Sequence, residues 1–422
     1  MEITNTPKKK KMTLDCWAFL LFLGFAIIGY NGAMSNYIKF ALYMLWLFLA
    51  FCASRRSFSK AFFSKANIAL MLFLFVYVIS SFTHGDPLNT LVYFLMYLMQ
   101  YGAVFAFAYY SNRENVDIMK MVKIILFIWT MVCIKAVFFY IANPSAARML
   151  AANSNSFQHI AIGNGYSLAY GSTLLLVCIL LLSLQKRFVI KNKLFVTVLI
   201  ISLIACVFLT ESTTTLLALI IGASITLIIS IAFGEKGSGH FNSRKFLGIV
   251  FIVSVVIIFV FNIHNIGEAI CNQFGNNLEE LYARRFYRIG EKLKYFGTGQ
   301  GGNNYVDERF STITLSFYTF LKNSFIGVGY KFGNIYSLGI PNGIGQHSEF
   351  TDILAQFGLI GGLPLLYCYW NIIKKIIKRY SAWGVCVSLV ILCIFNPFQS
   401  FQGCYAIFFL IPMLLSFERK QL

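Results

Sequence analysis

The sequence predicts an all-α integral membrane protein of about twelve transmembrane helices, with a large, partly helical extracytoplasmic loop between the ninth and the tenth. Three observations carry this. Of 422 residues, 58% are hydrophobic and only 12% charged, about half the charged share of a soluble domain. The apolar residues come in stretches near the ~20 residues a helix needs to cross a bilayer. The basic residues fall in every second connection between those stretches, as expected when Lys and Arg set orientation during insertion. With a mean hydropathy of +0.70, these figures exclude a soluble enzyme, a disordered chain and a secreted disulfide scaffold.

The first span is 14–30, behind Lys8 to Lys11. It resembles a signal peptide, but no small-x-small cleavage site follows. An uncleaved first helix with its N-terminus inside is expected. Further spans read as 40–51, 66–82, 88–110, 119–141, 166–184, 194–209, 215–233 and 246–261. After a polar interval come 353–373, 382–395 and 405–417. The second and eleventh are short, so their ends extend or they sit in thinner membrane. The chain thus divides into 1–261 (nine spans), 262–350 (a cap loop with the candidate active site) and 351–422 (three spans).

With the N-terminus inside, the inner segments hold 24 of the 35 Lys and Arg residues. Most of the formal charge of +19 is therefore an orientation signal, and no nucleic-acid partner is needed to explain it. Arg148 stands alone in an outer loop, and Lys135 lies within the fifth span, where it can snorkel. Eight more basic residues lie in the long interval. A structureless loop of that length is unusual, so a folded cap is expected. Residues 277–296 read as a helix with Arg284, Arg288 and Lys292 on one face and Arg285 beside them. Residues 309–321 read as a second helix.

Five His are present, and His347 has the best credentials. It sits between a Gly-rich stretch and a membrane helix, with Glu349 near enough to tune or orient it. A neutral imidazole there can act as a general base, although a solvated loop histidine is the ordinary alternative. The Arg set suits a phosphate, since guanidinium binds it in a bidentate way. A basic helix resting on lipid headgroups explains the same pattern equally well. Glu211, in the outer connection 209–215, is either a functional acid or an exposed loop charge, and its Ser and Thr neighbours suit a helix start. Gly327-Val328-Gly329 is incomplete as a nucleotide loop and reads as a turn that lets backbone approach something closely. The ten Cys contain no Cys-x-x-Cys pair and read as small core residues. No metal cluster and no cofactor is expected.

Taken together, Arg309 with the helix behind it, the turn from Asn323 to Tyr330, and the run from His347 to Gly362 resemble the O-antigen polymerase and O-antigen ligase superfamily. Those proteins carry an Arg, a downstream Pro-Leu-x-Gly-x-Gly turn, and a His-Asn-x-x-Leu run closing on Gly-x-x-Gly as it enters a membrane helix. The specific match covers 309–362, and the span plan extends the likeness along the chain. The resemblance implies a metal-independent glycosyltransferase on the outer face of the bacterial inner membrane, with both termini cytoplasmic and the site facing the periplasm. Its donor would be a glycan on undecaprenyl pyrophosphate. His347 would be the base that activates the acceptor hydroxyl, and Arg309 would hold the pyrophosphate. Arg284, Arg285 and Arg288 lie where the family keeps further basic residues, without a one-to-one alignment. A chain-length regulator protein is a further implied partner, beside the bilayer itself.

There are departures. Ser348 replaces the usual Asn, Asn323-Ser324 replaces the Pro-containing turn, and Ser212-Thr213 stands where ligases commonly carry Ser-Arg. The missing Arg weakens the ligase reading and leaves Arg148 as a substitute from another loop. With Glu349 and Glu211, these complete the expected substrate contacts. The leading expectation is an inverting polymerase that moves the growing chain onto a new lipid-linked repeat unit. The alternatives are a ligase acting on lipid A-core and, more distantly, a transporter of lipid-linked oligosaccharide.

Overall fold

The computed structural model describes residues 10–28, 33–84, 87–113, 115–143, 165–188, 190–210, 212–233, 262–277, 281–295, 305–329, 344–345, 347–380, 382–396, 398 and 400–416. Among them the regular structure is helical, apart from one isolated parallel bridge between Lys11 and Val116. The helices are α1 (Leu14–Ile28), α2 (Ala33–Ala53), α3 (Arg55–Phe62), α4 (Lys65–His84), α5 (Pro87–Ser111) and α6 (Ile118–Ala142). There follow α7 (Gly165–Leu184), α8 (Lys193–Leu209), α9 (Thr213–Phe233), α10 (Ile263–Phe274), α11 (Leu281–Lys294) and α12 (Tyr305–Lys322). The last are α13 (Glu349–Tyr380), α14 (Trp383–Phe395) and α15 (Phe401–Ser416, with a π-helical turn at Ala406–Leu410).

A helix occupies eleven of the twelve expected spans, and the ninth, 246–261, lies outside the described residues. Among the described residues, by length and apolarity alone, five helices can cross a bilayer, or six if the bent pair α3–α4 is one span. A count of twelve is therefore not established. The short second span extends to 21 residues in α2, whereas the eleventh stays at 13 in α14. The helix α3 was not anticipated. It is amphipathic, with Ser57 and Ala61 buried and Arg55, Arg56 and Lys60 exposed, and it meets α4 at 62°. Ser54 caps it through the Ser57 N–H.

Basic residues collect at one end of the bundle. Lys11 pairs with the α5–α6 connection (Lys11 N–H to Asn115 carbonyl, 3.3 Å). Arg113 donates to the Ala53 carbonyl at the end of α2 (2.9 Å) and faces the buried Asp15 carboxylate of α1 at 3.6 Å. Lys375, near the end of α13, lies over the Phe107 ring of α5. The inner-loop residues that the alternation groups together are thus brought to a common end in space. Above them the bundle interior is aromatic, with Phe19 against Trp46, Tyr110 and Phe409, and Phe357 against Phe73, Tyr77 and Tyr97.

The expected tenth span needs correction. A straight helix at 1.5 Å per residue would hold Glu349 and Tyr369 ~30 Å apart. Yet the Tyr369 hydroxyl donates to Glu349 Oε1 at 2.9 Å. α13 therefore folds back on itself, and the break is Gly358, at φ 61 and ψ −165. That backbone region is essentially reserved for glycine. Residues 349–357 form a re-entrant arm packed inside the bundle, folded back along the longer part of α13 that follows the break.

A break inside a buried helix frees backbone groups that need partners. The turn after α12 satisfies them. Val328 and Gly329 N–H donate to the Ala355 and Gln356 carbonyls (3.0 and 2.9 Å). In return, Leu359 and Ile360 N–H donate to Ser324 and Phe325 (2.7 and 3.0 Å). Such close approach leaves no room for side chains. A Cβ on Gly327, itself at φ +75, would stand 2.6 Å from the Gly358 nitrogen, and one on Gly358 would stand 2.5 Å from Ile326 N. The backbone approach expected of Gly327-Val328-Gly329 is thus to the break in α13.

Candidate active site

His347 begins the re-entrant arm, and it is half-buried. Glu349, two residues on, is bonded to Tyr369 and lies 3.5 Å from the hydroxyl of Tyr101, in the middle of α5. The His347 segment is therefore packed into the bundle.

Three groups of contacts hold the segment there. The first is with α12. Gly345 presses on the α12 backbone so closely that a Cβ would overlap the Thr312 carbonyl, and its N–H donates to Ser316 Oγ at 2.8 Å. The second is internal to the arm. Ser348 is the cap of α13, its Oγ facing the Thr351 N–H at 3.5 Å. The Asp352 carboxylate reaches back to accept the Ser348 N–H at 3.2 Å. This is a capping-box arrangement with the acid one residue later than usual. The third is with the tip between α14 and α15. Glu349 N–H donates to the Asn396 carbonyl (3.1 Å), and Phe398 N–H donates to Glu349 Oε2 (2.7 Å). Tyr170 of α7 steadies that tip through Asn396 Oδ1 at 2.8 Å and by stacking on Phe398.

Glu349 is fully buried, and both carboxylate oxygens are engaged by these donors. Its geometry fits a brace beneath His347 better than a direct ligand of pyrophosphate. Arg309 lies on α12 one turn before Thr312, on the helix that the His347 segment presses against. Its side chain is outside the described residues. So are the side chains of Arg284, Arg285 and Arg288, whose backbone is in α11. Arg148 and Glu211 lie outside the described residues altogether. Ser212, next to Glu211, is buried and accepts the Thr215 N–H at 3.4 Å, the expected helix start.

α11 pairs with α10, which the sequence reading left as loop. The two pack where Gly267 meets Gly290, and a Cβ on Gly290 would stand 2.8 Å from the Gly267 carbonyl. Phe274 stacks on Phe286 at 4.9 Å, and His264 Nδ1 contacts the Lys294 carbonyl. Lys294 pairs with Glu268 at 3.3 Å, a partner that raises its pKa. Burial in the hairpin pushes the Cys271 thiol up.

Sequence reasoning missed Asp352, Ser316 and Gly345. The first had a usable signal, since Ser348 with an acid four residues on marks a helix start. Ser316 had none, because it lies in an ordinary helical stretch and acquires meaning only when α13 folds back.

Residues 197–366, less than half of the chain, match the O-Antigen ligase family model. The match supports the O-antigen polymerase and ligase superfamily, whose members are membrane glycosyltransferase-like enzymes. It spans α12, the turn at 323–329 and the re-entrant arm. Compared with curated proteins, the chain finds no match.

Proposed function

We propose that the chain is a glycan polymerase of a bacterial inner membrane, with cytoplasmic termini and a periplasm-facing recess. In this reading it moves a growing O-antigen or capsular chain from undecaprenyl pyrophosphate onto a hydroxyl of a new lipid-linked repeat unit. The observation that carries the reading is the seating of His347. Its segment is folded into the bundle and pressed onto α12 one turn from Arg309.

The acceptor oxygen attacks the anomeric carbon, and its proton passes to His347. The bond from that carbon to the carrier's pyrophosphate oxygen breaks on the opposite face, so configuration inverts. Arg309, joined by arginines of α11 or by Arg148, neutralises the charge that develops on the leaving pyrophosphate. A recess walled by apolar helices admits the polyprenyl tail from the bilayer.

The test is a surface-glycan gel from a strain lacking the gene, complemented with wild type or His347→Ala. Single attached repeat units in the null strain, with no ladder restored by His347→Ala at normal protein level, support the polymerase. Full polymer stranded on its carrier would make the chain a ligase instead. Repeat units trapped on the inner leaflet would make it a transporter.

A further inference from the structure

Two buried residues hold the backbone on both sides of His347. Ser316 of α12 donates from Oγ to Asp352 Oδ1 at 2.5 Å and accepts the Gly345 N–H at 2.8 Å. Asp352 accepts the Ser348 N–H at Oδ2, 3.2 Å away. The chain thus enters His347 tied to Ser316 and leaves it tied to Asp352, and the two ties are joined to each other. Ser316 is fully buried, and Asp352 is 4% exposed. A hydrogen bond to a carboxylate is roughly twice as strong as a neutral one.

Nothing in this network requires a substrate, so it can set the imidazole before one arrives. We propose that Asp352 and Ser316 are positioning residues, which fix the His347 backbone between α12 and the re-entrant arm. The proposal rests on the reading of His347 as the base. A misplacement of ~1 Å at a reacting group can cost about 100-fold in rate.

The test uses the full chain in nanodiscs, with lipid-linked oligosaccharide extracted from the strain lacking the gene. Ser316→Ala is expected to lower kcat by roughly 10- to 100-fold with little change in KM, and Ser316→Thr, which keeps the hydroxyl, to restore most of it. The acid limb of the pH–rate profile is expected to stay in place in Ser316→Ala, because the base is unchanged and only its aim is lost. In a cycle of Ser316→Ala with Asp352→Asn, the double variant should lose far less than the product of the singles. Wild-type kcat in Ser316→Ala, or multiplicative losses in the cycle, would overturn the proposal while leaving His347 as base. Should Ser316→Ala fail to accumulate, Asp352→Asn carries the same kcat test alone. Undiminished turnover in His347→Ala would instead overturn the functional reading, and the proposal with it.

Discussion

Replacing Gly358 with alanine tests the re-entrant architecture most directly. The residue holds φ 61 and ψ −165, a combination that costs a side-chain-bearing residue about 1–3 kcal/mol. The added Cβ would also stand 2.5 Å from Ile326 N, so the turn at 323–329 must move away. Moving it weakens four backbone hydrogen bonds across the break, each worth about 1 kcal/mol net. Even with half of them kept, the seated arm loses about 3 kcal/mol or more, roughly a hundredfold in the ratio of seated to unseated arm at 1.4 kcal/mol per decade. Turnover of lipid-linked oligosaccharide in nanodiscs should fall accordingly, along with the thermal midpoint. Gly24→Ala is the comparator. Its Cβ would meet only Ile128 Cδ1 at 3.6 Å, an ordinary contact, and helix propensity favours alanine by up to about 1 kcal/mol. Wild-type turnover and stability in Gly358→Ala would show that α13 does not fold back as described.

Glu349→Ala should destabilise the protein by about 2–6 kcal/mol, since it strands the Tyr369 hydroxyl and the Phe398 N–H at about 1–3 kcal/mol each. Glu349→Gln should lose clearly less, and equal thermal midpoints for the two would refute the brace. At the basic end, Arg113→Met leaves buried Asp15 without its ion pair and should cost about 3–5 kcal/mol. Adding Asp15→Leu should recover most of that loss in thermal unfolding, and an additive second loss would count against the pair. Burial holds the Cys271 thiol above its ordinary pKa, so it is more protonated at pH 8 than a free thiol. Its alkylation by iodoacetamide, followed by mass spectrometry, should lag a small-molecule thiol at pH 8 and approach it at higher pH. A rate equal to the free thiol at pH 8 would contradict that placement.

What the sequence made legible was whatever depends on composition and period. Apolar runs of helical length found eleven segments that carry helices, and the basic alternation grouped ends that meet in space, as Lys11 with Asn115 and Arg113 with Ala53 show. The fold-back of α13 was not legible. The largely apolar run from Ile353 continues through Gly358, so hydropathy joins the end of the arm to the segment after it, and only the backbone angle at Gly358 separates them. The site divides in the same way. His347 and Gly327 could be picked out by type and spacing. Ser316 could not, because its partners are far away in the chain and reach it only through tertiary packing. The amphipathic α3 and α10 escaped because both are short and half-polar.

The bonds around Glu349 also bear on how the protein is assembled during synthesis. Chains fold from the N-terminus as they emerge. Tyr101 and Tyr369 are in place once α13 is made, but the N–H that binds Glu349 Oε2 belongs to Phe398, and the carbonyl that takes its own N–H belongs to Asn396. Until α14 and α15 enter the membrane, the arm therefore holds a carboxylate only partly satisfied at a depth where that is costly. Seating of the arm is then one of the last events of insertion, and a nascent chain halted before residue 396 should present an unseated His347 segment to membrane proteases. The C-terminal hairpin acts in this sense as the latch that holds the arm.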